Sequence, residues 1–152
     1  MKALYLLLPM LISVSLFAFI SNKKQVNEPD IQNVDSVKLK ISVGTHIFTA
    51  TLYNNATATA FKARLPITVS MRDLNGNEKY FDLPNNLPSD ASNPGTIRTG
   101  DLMIYGSNTL VLFYKTFSTS YSYTRLGRID NPLGLSAALG AGSAIITYEL
   151  SK

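Results

Sequence analysis

Tyr123 and Arg125 stand two residues apart in an alternating segment, so on a strand they share a face. Phe113, Tyr114 and Phe117 come from the apolar run just before them, and Tyr105 from the run before that. Aromatic area beside one fixed positive charge suits capture of an extended peptide or an anionic aromatic ligand, through stacking and charge-assisted hydrogen bonds. It also suits prolyl isomerisation, which uses no nucleophile and no acid–base pair. The barrier to that reaction, about 18–20 kcal/mol, comes from the partial double bond of the peptide, and a guanidinium donating to the prolyl nitrogen weakens it. Tyr105, Phe113, Tyr114, Phe117, Tyr123 and Arg125 are therefore the candidate ligand-binding residues. Packing alone also favours aromatics in strands, and arginines on exposed faces commonly serve only to solvate them.

Other chemistries find little support. The chain has no cysteine, hence no disulfide and no thiolate. Its one histidine, His46, stands beside the Gly44-Thr45 turn with no partner histidine and reads as a solvated turn residue, so neither a metal nor a cofactor is expected. Asp73, Glu78 and Asp101 lie near turns or strand starts, where carboxylates are commonplace, and no pair has a spacing that argues for glycosidase chemistry. The 14 basic and 10 acidic residues include three lysines and three acids before Val37, which leaves 11 and 7 beyond it. These charges are scattered rather than clustered, which argues against a nucleic-acid face.

Residues Ala3 to Ile20 form an uncharged, almost wholly apolar run behind Met1-Lys2, the pattern of an export signal. Its 18 residues are also just enough to span a bilayer. A cleaved signal peptide and a retained membrane anchor both fit residues 1–20, and either places the rest outside the cytoplasm, in a bacterial periplasm or cell envelope. Ser21 to Ser36 is polar, acidic in its second half, contains Pro29 and has no apolar periodicity, so 21–36 is expected to be a flexible tether. One domain, 37–152, follows.

Val37, Leu39, Ile41 and Val43 alternate with polar residues, and after Gly44-Thr45 the run His46 to Tyr53 returns through Phe48, Ala50 and Leu52. Asn54 to Leu65 breaks this period and places Ala58, Phe61 and Leu65 at helical spacing, with Asn54 or Asn55 as cap and Pro66 as stop. Ile67, Val69 and Met71 run into Asn75-Gly76, a strong hairpin signal, and Lys79, Phe81 and Leu83 return. Pro84 to Arg98 reads as loop. Leu102–Tyr105 and Leu110–Lys115 make a further strand pair, and the run Leu110 to Tyr114 does not alternate, so that strand is expected to be covered on both faces. A polar aromatic segment, Thr116 to Tyr121, leads to a strand over Tyr123–Ile129. A helix over 132–139 is expected behind Asn131-Pro132, and Ala144, Ile146, Tyr148 and Leu150 close with a last strand. Eight short strands and two short helices predict an all-β fold, a closed antiparallel barrel that leaves no edge exposed, with a β-sandwich as the alternative.

The strand from Ile47 and the helix carrying Thr57-Ala58-x-x-Phe61 resemble the corresponding strand and first helix of cyclophilins. Over Val37 to Leu150 the chain resembles more closely the small bacterial cyclophilin-like domains, in the segments ATLYNNATATAFKARLPITVSMRDLNGNEKYFDLP, GDLMIYGSNTLVLFYKTF and LGRI. The resemblance implies a cyclophilin-like barrel. It does not carry activity across, because the Phe-His-Arg and Gly-Ser-Gln-Phe-Phe segments of typical cyclophilins are missing, and Arg72, roughly in place of the first, abuts the Asn75-Gly76 turn. The expected function is a binding module for a small molecule or extended peptide, the alternative a divergent peptidyl-prolyl isomerase, with a purely structural role as a third reading.

Overall fold

The computed structural model describes residues 36–152. The expected export segment and the tether up to residue 35 lie outside the described residues. The elements, in chain order, are β1 (Lys38–Val43), β2 (His46–Leu52), α1 (Ala56–Lys62), β3 (Ile67–Leu74), β4 (Glu78–Asp82), β5 (Thr96–Ile97), β6 (Asp101–Tyr105), β7 (Thr109–Phe113), β8 (Phe117–Ser118), β9 (Thr124–Ile129), α2 (Leu135–Leu139) and β10 (Ala144–Leu150). Eight strands close a barrel in the order β1-β10-β3-β4-β7-β6-β9-β2, with β2 returning to β1, and every pairing is antiparallel. Closure pairs every barrel strand on both sides, so none is left as an edge.

Turn chemistry sets the hairpin registers. Asn75 and Gly76 both have positive φ, 56° and 63°, as a type I′ turn requires, and Asn77 N–H donates to the Leu74 carbonyl at 3.2 Å. Because Leu74 pairs with Glu78, Asn77 is one residue in excess, and its own carbonyl accepts from Tyr114 N–H at 3.0 Å. This excess residue sends Lys79 into the barrel and Glu78 out of it. Gly127 in β9 is required by contact: a Cβ there would stand 2.6 Å from the Thr51 carbonyl oxygen of β2.

Leu39, Ile41, Phe48, Ala50, Met71, Leu102, Ile104, Leu110, Leu112, Leu126, Ile146 and Tyr148 fill the interior. The α1 helix covers the end at which β2 finishes, held by the Asn55 cap, whose Oδ1 accepts from Ala58 N–H at 2.8 Å, and by Phe61, whose ring meets Tyr148 edge-on at 6.0 Å. Strand polarity puts α2 at the other end. It begins at Leu135, three residues later than the expected 132, because Asn131 Oδ1 accepts from Leu133 N–H and Gly134 takes a left-handed φ of 81°; Asn131 to Gly134 is thus a turn. At that end Lys79 is fully buried, and its Nζ donates to Asp73 Oδ1 at 2.9 Å and to the carbonyls of Gly140 and Gly142 at 2.8 and 2.6 Å.

Two strands were not legible. Thr96–Ile97 and Phe117–Ser118, read as loop and polar segment, pair as a two-stranded ribbon outside the barrel, with Ile97 opposite Phe117. This ribbon is the cover expected over the non-alternating run of β7.

Candidate functional site

Leu110 and Leu112 of β7 point into the barrel, while Val111 and Phe113 point out and join Met103, Ile97 and Tyr123 in a second, smaller core, with Tyr80 and Phe117 packed against it. Phe113 anchors this layer: its ring centroid lies 5.5 Å from Tyr123 and 5.8 Å from Phe117. The segment from Phe117 to Tyr123 crosses the outer face of the barrel without closing on β4. What remains is an open groove of about 580 Å³ between that segment, β4, the start of β7 and the Asn75–Asn77 turn. Tyr80, Tyr105, Tyr121, Tyr123 and Phe117 give it aromatic walls, and Ser118, Thr119, Ser120 and Thr109 give it hydroxyls. Tyr105 bridges two rings, meeting Tyr121 edge-on at 6.2 Å and Tyr123 at 5.6 Å.

Glu78 lies in the lining of this groove. It is 8% exposed, opposite the outward-facing Phe113 in the β4–β7 register. Burial pushes its carboxyl up to about 7, and the nearby Asp73 carboxylate adds to the rise; no hydrogen bond or cation offsets them. The adjacent Asn77, also in the lining, leaves its covered side-chain oxygen without a hydrogen-bond partner. Tyr123 is raised by burial first and by Glu78 second. The other carboxylate of the groove, Asp82, is engaged: it accepts from Thr109 Oγ1 at 2.7 Å and pairs with Arg72 at 3.5 Å. Arg72 in turn stacks its guanidinium 4.7 Å from the centre of the Tyr80 ring.

The six sequence-predicted residues divide. Tyr105, Phe117 and Tyr123 line the groove, and Phe113 supports it from beneath. Tyr114 instead faces the main core, where its hydroxyl donates to Asp73 Oδ1 at 2.6 Å, and burial followed by that hydrogen bond pushes it up to about 12. Arg125 is exposed and lines a separate, shallow hollow with Asn55, Pro88, Asp90, Ser92 and Thr124. Tyr123 and Arg125, expected to share one site, line different hollows. Ser92 bridges to Tyr123 and Asp90 N–H donates to Thr124 Oγ1 at 2.9 Å, so the loop before β5 runs beside the start of β9 and lines the hollow that takes Arg125. Neither Arg98 nor Arg128 lines the groove; Arg128 pairs with Asp101 at 3.6 Å. Sequence reasoning set Glu78 aside as a commonplace carboxylate and passed over Asn77 and Tyr80. The signal available was the alternation Glu78-x-Tyr80-x-Asp82, which sets two acids and a tyrosine on the outward face of one strand.

The sequence profile of the cyclophilin-like family matches residues 41–149. The chain belongs to this family. Among solved structures, the cyclophilin-like barrel is similar to a hypothetical protein of Archaeoglobus fulgidus determined in solution, with a TM-score of 0.53 and 21% sequence identity over 76% of this chain and 95% of that one. The likeness supports the fold. No curated protein sequence matches. In this cyclophilin-like domain no three His, Asp or Glu side chains come together among the described residues.

Proposed function

We propose that the protein is an exported cyclophilin-like domain that binds a small molecule or an extended peptide in the tyrosine-lined groove. The observation that carries this reading is the gap between the Phe117–Tyr123 segment and β4, about 580 Å³ with four tyrosines around it. That volume falls in the range of ligand sites, and tyrosines offer apolar area and a hydroxyl together. Tyr105 and Tyr121 are 47% and 62% exposed, area that a ligand would cover.

A fragment set containing aromatic amines, alcohols and carboxylates, with short proline peptides, tests the groove by NMR. Shifts are expected at Tyr80, Tyr105 and Tyr121, and Tyr105→Ala or Tyr121→Ala should weaken the binding fivefold or more. Shifts confined to the hollow beside Arg125 would refute the assignment. Export rests on the apolar run Ala3 to Ile20 behind Lys2. Alkaline phosphatase fused after Ser36 should be active in bacteria, and an intact but inactive fusion would contradict it.

Prolyl isomerisation is the second reading, and one observation favours it. Arg72, rather than Arg125, brings a guanidinium against a groove-lining ring. A protease-coupled proline-peptide assay decides: acceleration lost in Arg72→Ala supports an isomerase, and no acceleration leaves binding alone.

A further inference from the structure

No lysine, arginine or histidine lines the groove, although the chain as a whole carries a net charge of +4. Its charged lining is Glu78 and Asp82, and only Asp82 has a cationic partner. Glu78 is more than nine-tenths buried, has neither hydrogen bond nor ion pair among the described residues, and stands beside Phe113 in the β4–β7 register. A lone buried carboxylate is costly to a fold, and the cost falls when a cation of matching geometry arrives. The charged and titratable groups around it leave it no free cation: Arg72 of β3 is already paired with Asp82 and stacked on Tyr80. Asp73 comes from β3, Tyr114 from the exit of β7, Tyr123 from the start of β9, and Tyr80 and Asp82 share its strand. The next residue, Lys79, points inward and spends its three donors on Asp73, Gly140 and Gly142. The exposed rings of Tyr105 and Tyr121 add a second attraction for positive charge, one face of Tyr80 being taken by Arg72.

From this arrangement, which rests on the groove being the binding site, we infer that the ligand is an organic ammonium with an aromatic or aliphatic body, its charged nitrogen on Glu78 and its body among Tyr80, Tyr105 and Tyr121. The groove thus selects a cation, where the arginine-based expectation pointed to an anion.

The test uses the full chain and three probes of one shape: 2-phenylethylamine, 2-phenylethanol and 3-phenylpropionate. Titrations followed by NMR at pH 8.0 and pH 5.5 give affinities and site together. The amine is expected to bind at least tenfold tighter than the carboxylate at pH 8.0. It should lose on the order of tenfold at pH 5.5, where Glu78, pushed up to about 7 in the empty groove, is protonated. Glu78→Gln should remove both the preference and the pH dependence while leaving the alcohol unaffected. Equal affinities for amine and alcohol, a carboxylate preference, or an amine affinity unchanged by Glu78→Gln would overturn the inference while leaving a groove that still shifts at Tyr105 and Tyr121 intact. Absence of any groove shift with all three probes would overturn both readings.

Discussion

Glu78 and Asp73 sit on adjacent strands and titrate in opposite directions. The Glu78 carboxyl is raised from 4.5 to about 7 by burial and by Asp73, so its contribution to stability is fully present below its unfolded value and is lost as pH rises through about 7. Asp73 is lowered from 3.8, first by the hydrogen bond from Lys79 and then by that from Tyr114, so its contribution is present above 3.8 and is lost as pH falls through its folded value. Together they predict a stability maximum near pH ~4, between 3.8 and 4.5, where both contributions are present. Urea midpoints at pH 2, 4 and 8 should show it, and Glu78→Gln should raise stability at pH 8 by about 1–2 kcal/mol, the smaller part of the full linkage because solvent reaches the site through the groove. A midpoint that climbs steadily to pH 8 would contradict the burial argument. Lys79 makes a second residue-scale case. Lys79→Ala leaves two carbonyls without their donor, takes from Asp73 its cation while Tyr114 and Gly76 still donate to it, and opens a cavity, at a cost of about 3 kcal/mol in urea unfolding. The inward set Lys79, Phe81 and Leu83 was legible from alternation alone, even with a lysine in it. The isolation of Glu78 was not, since it depends on Asp73 and Phe113 arriving from other strands.

The ribbon of β5 and β8 is the element on which the groove depends. Two residues per strand are too few to show a period, so nothing local distinguishes Thr96–Ile97 or Phe117–Ser118 from loop. What the sequence does carry is the demand for such a cover, in the unbroken apolar run from Leu110 to Tyr114, of which Val111 and Phe113 face outward. The same reasoning explains the fate of Arg125. Sequence spacing put it on the face of Tyr123, but the loop through Ser92 supplies a neighbour to Tyr123 that no local pattern announces. Ile97, on β5 of this ribbon, is fully buried and belongs to the outer core rather than to the main cluster of the barrel interior. Ile97→Ala should therefore cost about 2–4 kcal/mol of local packing and fall mainly on the cover. Amide exchange in Phe117 to Tyr123 should accelerate well before exchange in β1, β2 and β10, and equal acceleration throughout would mean that ribbon and barrel open as one unit.

At the scale of the molecule, the barrel closes on two pairings that both belong to β1: Ile41 faces Phe48 of β2 on one side and Tyr148 of β10 on the other. The alternation of β1, β2 and β10 and the Gly44-Thr45 and Asn75-Gly76 turns made this closure readable, because closing the sheet is what pairs every edge of eight short strands. All of the residues that close it lie between Lys38 and Leu150. Residues 36–152 expressed alone should thus fold to a β-rich state and unfold in one cooperative urea transition, with a slope of about 1–3 kcal/mol per molar. Removing residues 143–152 as well takes away β10, which exposes the backbone of β1 and β3 as two long edges while leaving the groove residues of β4, β7 and β8 in the chain. That shorter chain should aggregate or lose cooperativity. If it remained monomeric with an unchanged β spectrum and kept the groove shifts with 2-phenylethylamine, closure would not be what holds the outer face in shape. The groove would then be a property of β4, β6, β7 and their ribbon alone.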